Sequence, residues 1–319
     1  MTRFLVRRIV LGLAVLWVIT TSVFVMFYVA PHDVARTIAG RQATPDTVAA
    51  VSRRLGLDRP ILDQYTSYLR NLVHGNLGYS FYNSTSVRSL LWQRVPVSVS
   101  LALGAAVVWL LVGLVSGVLA AVHPRSWIDR AANVGALFFY SMPSFLLGAA
   151  FLYFLFFRLH LAGIPFFPGS GYVALTQDPL EWARHLLLPW LTVAMATAAA
   201  YTRLTRSSMI DVLGEDYIRT ARAKGLRERR VVYRHALRSA LTPVITQFGI
   251  DLGTLLGGVI IVENIFGLPG LGQLAIQSVA NQDQPVIIGT VVVASACIVV
   301  ANIAVDLGYA LLDARVRAH

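Results

Sequence analysis

The chain has 319 residues, of which 56% are hydrophobic and only 13% are charged, and its mean hydropathy is +0.64. Soluble domains carry roughly 25% charged residues, so the composition excludes an ordinary soluble protein and predicts an all-α integral membrane protein. The net charge is +11, but the basic residues flank apolar runs and form no basic domain interleaved with aromatic residues, which argues against nucleic-acid binding. One cysteine, Cys297, excludes an intrachain disulfide. The seven histidines lack ligand spacing, so we expect no metal site.

Six apolar runs predict six transmembrane helices, since a membrane-spanning helix needs about 20 residues. The runs cover residues 9–30, 96–122, 131–157, 186–204, 241–266 and 286–312. Arginines are concentrated in the short loops that would face the cytoplasm, so we expect both termini to be cytoplasmic. The first run is longer than the apolar core of about 7–15 residues in a signal peptide, and we interpret it as a retained helix.

These runs divide the chain into three predicted parts. Residues 1–30 would hold the cytoplasmic N-terminus and the first span, and residues 31–95 an extracytoplasmic loop subdomain. Residues 96–319 would form a five-span core with a cytoplasmic loop at 205–240. In the subdomain, residues 60–72 have apolar side chains at helical spacing, which predicts one amphipathic helix. In the core, the pair Gly113 and Gly117 predicts close helix packing inside the subunit.

The segment between the fourth and fifth runs is strongly basic. Residues 201–240 contain ten arginine or lysine residues against four acidic ones, so this segment cannot lie in hydrocarbon. Asp211 can cap a short helix, and Gly225 can end it in a left-handed turn. Such a helix would present Ile218 and Ala221 on one side, where a small side chain lets another protein approach. The alternative is a solvated loop that only orients the protein, and the ordered small residues favour docking.

The same segment carries a resemblance to a known family. Residues 216–226, DYIRTARAKGL, resemble the "EAA" loop of the permease subunits of bacterial ABC importers, in the dipeptide, oligopeptide and nickel branch. Three further stretches, at 55–81, 141–148 and 259–274, follow in the family's order, and the chain is most similar to first dipeptide permease subunits. The resemblance implies that residues 215–238 form a coupling helix in a cleft of a cytoplasmic ATPase. The implied coupling residues are Glu215, Asp216, Tyr217, Arg219, Thr220, Ala221, Arg222, Ala223, Lys224 and Gly225.

The resemblance also implies a transport complex in the bacterial plasma (inner) membrane. The partners would be a second homologous permease subunit, two ATPase domains (separate or fused), an extracytoplasmic substrate-binding protein, the lipid bilayer and a peptide substrate. ATP and Mg would be bound by the ATPases and not by this chain. The only lysine, Lys224, is not part of a Gly-x-x-x-x-Gly-Lys-Ser/Thr motif, so we do not expect the chain to be an enzyme.

Four polar residues lie in or at the edges of predicted spans, where ionisable groups usually face protein or water. Asp251 and Asp306 would line the translocation path or brace a subunit contact, and Glu263 would lie with Asn264 at an outer gate. The alternative for each acid is a hydrogen bond to a neighbouring side chain, or interfacial exposure. Di- or oligopeptides, nickel complexes and other peptide-sized solutes remain open as cargo. A proton-coupled secondary transporter using Asp251 or Asp306 is the alternative class, although the sequence has no clear inverted repeat.

Overall fold

The computed structural model describes residues 2–29, 44–55, 58–80 and 82–312. Helices dominate these residues, which confirms a mostly helical protein. The first six are α1 (Thr2–Phe24, continued by a π-helical turn, Val25–Val29), α2 (Pro45–Leu55), α3 (Ile61–Val73), α4 (Val87–Val122), α5 (Trp127–Ser141) and α6 (Ser144–Phe151). A short antiparallel ladder lies between α3 and α4, where β1 (Tyr79–Ser80) pairs with β2 (Thr85–Ser86). The sequence pattern did not predict this ladder.

The second half of the chain begins with an extension of α6 through a π-helical stretch, Leu152–Arg158, into Leu159–Leu161. The remaining helices are α7 (Pro179–Leu213), α8 (Asp216–Ala223), α9 (Leu237–Ile265), α10 (Leu271–Ala280) and α11 (Gln284–Leu312). The chain enters α9 through a helical turn, Glu228–Arg230, and a π-helical stretch, Val231–Ala236. Asp178 caps α7, because its side chain accepts the backbone N–H groups of Leu180 and Glu181.

Four helical stretches within the described residues are long and apolar enough to cross a membrane. They are Val6–Val29, Val87–Val122, Ser144–Leu161 and Gln284–Val305. The first, second and last of these overlap the corresponding predicted runs, and the third overlaps the later part of the run at 131–157. The fourth predicted run lies within α7, and the fifth lies within α9 except for its last residue, Phe266. The structure therefore agrees with a multi-span membrane protein, and the count of six stays a prediction.

The third predicted run, 131–157, is not one continuous helix. Helix α5 ends at Ser141, and Met142 then has an extended backbone (ψ 126°) before Pro143. A residue that precedes proline is pushed out of the helical region by the proline ring, so the helix stops there. It resumes at Ser144 and continues to Leu161, beyond the predicted end of the run.

The described residues divide into two compact units. Those within 1–96 and 270–304 form the first unit, and those within 97–269 and after 304 form the second. The predicted boundaries at residues 30 and 95 separate an extracytoplasmic subdomain from the membrane-spanning parts of the chain. These boundaries stay a prediction.

An aromatic cluster holds together part of the first unit. Phe24 of α1 contacts Tyr65 and Tyr68 of α3, with ring centroids 5.1 and 5.5 Å apart. The hydroxyl groups of Thr21 and Tyr65 lie 2.7 Å apart. The helix predicted at 60–72 is thus confirmed as α3, and its apolar face packs on α1.

Small residues let α4 pack closely on α7 in the second unit. A side chain at Gly117 would lie 2.6 Å from Cβ of Thr205, and one at Gly113 would overlap Tyr201. Close packing of these glycines inside the subunit is therefore confirmed.

Candidate functional site

The predicted coupling segment forms the eight-residue helix α8. Glu215 precedes it with extended backbone (φ −68°, ψ 149°) but makes no side-chain cap. The prediction that Asp211 caps this helix is wrong, because α7 continues to Leu213 and contains Asp211. The apolar and small residues of α7 extend its helical pattern farther than the hydrophobic run indicated.

Helix α8 is seated on its own subunit by two residues. Ile218 is fully buried and Ala221 is 9% exposed, and both belong to a core cluster with Val118 of α4 and Met209 of α7. Ala221 therefore fixes the position of α8, whereas the sequence suggested that it faces a partner. The other implied coupling residues are exposed: Glu215, Asp216, Tyr217, Arg219, Thr220, Arg222, Ala223, Lys224 and Gly225.

The turn after α8 is a Schellman motif. The backbone N–H of Gly225 donates to the carbonyl of Arg222 at 2.9 Å, and that of Leu226 donates to the carbonyl of Ala221 at 3.3 Å. Gly225 has φ +75°, a conformation that residues with a side chain rarely adopt. The predicted left-handed end of the helix is confirmed. A Cβ at Gly225 would meet no atom within 4 Å, so the backbone angle alone favours glycine.

Two side-chain contacts join α8 to α9 and to the segment that leads into it. The guanidinium of Arg222 donates to both oxygens of Glu228, at 2.7 and 3.1 Å. This hydrogen bonding lowers the pKa of Glu228 and raises that of Arg222. Tyr217 donates its hydroxyl to Oγ of Ser239 at 3.0 Å. A force on α8 can therefore reach the first turn of α9 through side chains as well as through the backbone.

A second arginine–carboxylate pair lies before α8 in the chain. Arg206 of α7 donates through Nε and Nη2 to the oxygens of Asp129, at 2.6 and 2.9 Å. Asp129 also accepts the backbone N–H of Arg125 at 2.9 Å and Nδ2 of Asn133 at 2.7 Å. The hydrogen bond from Arg206 is the largest cause that lowers the pKa of Asp129 to about 2.

Sequence reasoning missed this pair, although one local signal was present. Ser126 followed by Asp129 fits the Ser-x-x-Asp capping pattern, and the backbone N–H of Asp129 does donate to Oγ of Ser126 at 3.3 Å. That pattern identifies the start of α5. It does not identify Arg206, which lies 77 residues away in the chain.

Asp251 lines a cavity in the second unit. Tyr201 donates its hydroxyl to Oδ2 of Asp251 at 2.8 Å, and Nε2 of Gln247 donates to Oδ1 at 2.9 Å. The cavity has a volume of about 630 Å³. Its lining residues are Trp109, Tyr140, Ser144, Val193, Ala196, Thr197, Ala200, Tyr201, Leu204, Gln247, Asp251, Leu255 and Val262.

The other predicted path residues lie in different surroundings. Glu263 is fully buried in α9 and accepts the hydroxyl of Ser98 at 2.5 Å. The neighbouring Asn264 is exposed, and its amide donates to the carbonyl of Ile260 at 3.0 Å. Glu263 and Asn264 thus face different sides of one helix. Asp306 lies in α11, and its side chain falls outside the part of the chain that the structure describes.

Comparisons with known proteins identify the kind of system. Residues 113–318 match the family described as binding-protein-dependent transport system inner membrane component, and residues 1–102 match the N-terminal component of the same systems. A relative from Brucella abortus, named as a peptide transport system permease protein, is 39% identical over 99% of both chains. A peptide ABC transporter permease of Sinorhizobium fredii is 35% identical over 98% of this chain and 99% of its own. The glutathione transport system permease protein of Escherichia coli is 36% identical over 99% of both.

Proposed function

Because the chain belongs to the family of inner-membrane components of binding-protein-dependent transport systems, we propose that it forms half of a translocation path for di- and oligopeptides in an ATP-driven importer. As a member of this family it is a multi-pass protein of the inner membrane and not itself an enzyme. Relatives named for peptide and glutathione transport support a peptide cargo, since glutathione is itself a tripeptide. Nickel complexes and other peptide-sized solutes are the alternative cargo.

The arrangement of α8 supports coupling to ATPases. Its exposed face carries Asp216 and Arg219, and the exposed Lys224 follows directly at its end, while Ile218 and Ala221 hold the opposite face on the subunit core. A helix seated in this way can be pushed by a partner without separating from the membrane helices. We infer that the exposed face enters a cleft of the ATPase, where its charged side chains pair with polar groups. ATP and Mg would be bound by that partner.

The topology that accompanies this function has six spans, with α5 and α6 counted as one bent crossing. Both termini and α8 would be cytoplasmic, and the region 31–95 would face outwards and meet the substrate-binding protein. A second homologous permease subunit would complete the path. The excess of arginine around α8 supports its assignment to the cytoplasm.

Coupling is tested in proteoliposomes that contain this chain, its partner permease, the ATPases and the binding protein. The substitution Ala223→Trp adds a bulky side chain to the exposed face of α8 and is expected to reduce ATP-dependent peptide uptake at least about tenfold, because a side chain of this size prevents close contact at a packed interface. The thermal stability of the chain should not change. Ala162→Trp is the matched control, because Ala162 is exposed and lies between the third and fourth predicted runs, on the outer side in this topology; it should keep uptake.

Two outcomes contradict the proposal. One is full ATP-driven uptake by Ala223→Trp in a normally assembled complex. The other is transport that continues without ATP or ATPases but stops when the proton gradient is removed, as expected of a secondary transporter.

The topology is tested by labelling a cysteine at position 84 with a membrane-impermeant reagent. Ser84 is exposed between β1 and β2, and Cys297→Ala provides a cysteine-free background. Ser84→Cys should be labelled in intact cells. Labelling only after the membrane is opened would place this region on the cytoplasmic side.

A further inference from the structure

The cavity that contains Asp251 has the size of a small-molecule site. Its volume is about 630 Å³, and ligand pockets commonly measure roughly 300–1,000 Å³. Five helices of the second unit, α4, α5, α6, α7 and α9, contribute to its walls. Most lining side chains are apolar or small, such as Trp109, Val193, Ala196 and Leu255. Among the described residues that line it, Asp251 is the only carboxylate.

The carboxylate of Asp251 is held in a fixed direction. Tyr201 of α7 donates to one oxygen and Gln247, one turn earlier in α9, donates to the other. Both donors are neutral side chains, and together they fix the orientation of the carboxylate. Preorganised polar groups in an otherwise apolar pocket are the usual means of fixing a ligand's orientation.

The charge and the lining together indicate which ligand group fits. A carboxylate among apolar walls attracts a cation more strongly than it would in water, because the local dielectric constant is lower. Every peptide with a free N-terminus carries an α-ammonium group, whatever its side chains are. Apolar and small walls can accept many side chains by shape alone. One carboxylate in such walls therefore suits a ligand with a constant cationic end and a variable body.

We propose that Asp251 receives the α-ammonium group of the peptide during its passage through the permease. This inference rests on the proposed function, and it adds the chemical group that the permease itself recognises. A salt-bridged hydrogen bond to Asp251 would hold the N-terminus beside α7 and α9, while the rest of the peptide lies along the apolar walls. The site would thus select free N-termini within the membrane component itself.

The test first identifies a transported peptide and then measures its binding in the cavity. ATP-dependent uptake of dialanine, trialanine and glutathione by the reconstituted wild-type complex selects the probe. The complex is then placed in nanodiscs without the binding protein, with Cys297→Ala and with Ala200→Cys as a reporter in the cavity wall. The free peptide should slow the reaction of this cysteine with a maleimide, and its N-acetylated form should do so only at concentrations at least about tenfold higher, since a hydrogen bond to a charged group typically accounts for about tenfold or more in affinity.

Variants of Asp251 separate recognition from packing. Asp251→Asn should raise the half-protecting concentration of the free peptide about tenfold or more and remove the preference over the acetylated form, whereas Asp251→Glu should keep that preference. Asp211→Asn removes an exposed carboxylate from α7 and should leave protection unchanged. The variant complexes are compared at equal amounts of complex in the nanodiscs and at equal basal ATPase activity.

Each outcome of these binding measurements either supports or contradicts the role of Asp251. Equal protection by the free and acetylated peptides of the wild-type complex, or an unchanged preference in Asp251→Asn, would overturn the proposal. If Asp251→Asn fails to assemble, the wild-type comparison and Asp251→Glu still give the answer. If the wild-type complex takes up none of the three peptides with ATP, the peptide-import function fails first, and the uptake assay alone shows this.

Discussion

Two arginine–carboxylate pairs, one before α8 in the chain and one that joins α8 to the segment after it, have similar lengths but different surroundings. The shortest N–O distance is 2.6 Å between Arg206 and Asp129 and 2.7 Å between Arg222 and Glu228. The first pair has side-chain exposures of 29% and 7%, and the second has 42% and 57%. Only Asp129 receives further donors, from Arg125 and Asn133. The two pairs differ in burial and in the number of hydrogen-bond donors, whereas their N–O distances are nearly equal.

This difference assigns the pairs different roles. A buried, multiply bonded carboxylate is costly to leave without its arginine, whereas an exposed pair gains little from its contact. We infer that Asp129 and Arg206 fix the turn before α5 to the end of α7. Arg222 and Glu228, in contrast, can separate when a partner binds the exposed face of α8.

The largest effect is expected from Asp129→Asn. The substitution removes the carboxylate from a partly buried guanidinium, and hydrogen bonds to charged groups are worth about 1.5–3 kcal/mol. We expect the free energy of unfolding to fall by about 2 kcal/mol, seen as a lower melting temperature of the purified complex. Asp211→Asn, which removes an exposed carboxylate from α7, should leave the melting temperature unchanged. Equal melting temperatures for the wild type and Asp129→Asn would show that this pair contributes as little to stability as the exposed pair of Arg222 and Glu228.

The same pair predicts a pH dependence. The pKa of Asp129 is lowered from 3.8 to about 2, so its contribution to stability is complete above pH 3.8 and is lost as the pH falls towards 2. Between these values the wild type should lose stability, relative to its value at neutral pH, more steeply than Asp129→Asn. Melting temperatures measured in steps across this range would show the two curves converging. Parallel curves would mean that Asp129 does not titrate in this window.

A smaller effect is expected from Gly225→Ala, which tests whether the turn after α8 depends on its backbone or on its ion pair. A side chain at φ +75° costs about 1–2 kcal/mol, so backbone amides of α8 should exchange hydrogen faster. Gly135→Ala is the matched control, because Gly135 lies within α5 and a Cβ there would meet no atom within 4 Å. That control should be neutral or slightly stabilising. Unchanged exchange in α8 would show that the Schellman turn contributes little.

The smallest effect is expected from Glu228→Gln. Exposed ion pairs contribute about 0–1 kcal/mol, so the melting temperature should barely change, and any change should shrink at high salt because exposed charges are screened. If the melting temperature of Glu228→Gln fell as much as that of Asp129→Asn, and the fall did not depend on salt, the two pairs would contribute equally to stability.

Local sequence predicted those features that depend on near neighbours. The apolar period at 60–72 predicted α3, and Gly225 predicted the left-handed turn after α8, since both signals involve residues a few positions apart. The break in the third run also has a local cause, because the ring of Pro143 restricts the residue before it, and one helix ends and another starts there. The end of α7 was misjudged at Asp211, because the polar residues there do not prevent a helix from continuing.

Contacts between distant helices required the tertiary structure. Asp251 and Glu263 lie in the same helix and have similar sequence surroundings, yet one lines a cavity and the other is buried against Ser98. Ala221 could have faced a partner or the core, and only the position of Val118 and Met209 shows that it faces the core.

By itself, the sequence determined the membrane class, the apolar runs, the basic segment and the family, because composition, period and motif are properties of consecutive residues. The tertiary structure decided which side of each helix is covered and which charges meet, as Asp129 and Arg206 do across 77 positions. Such pairings depend on how helices pack in three dimensions, and the order of residues in one segment does not specify that packing.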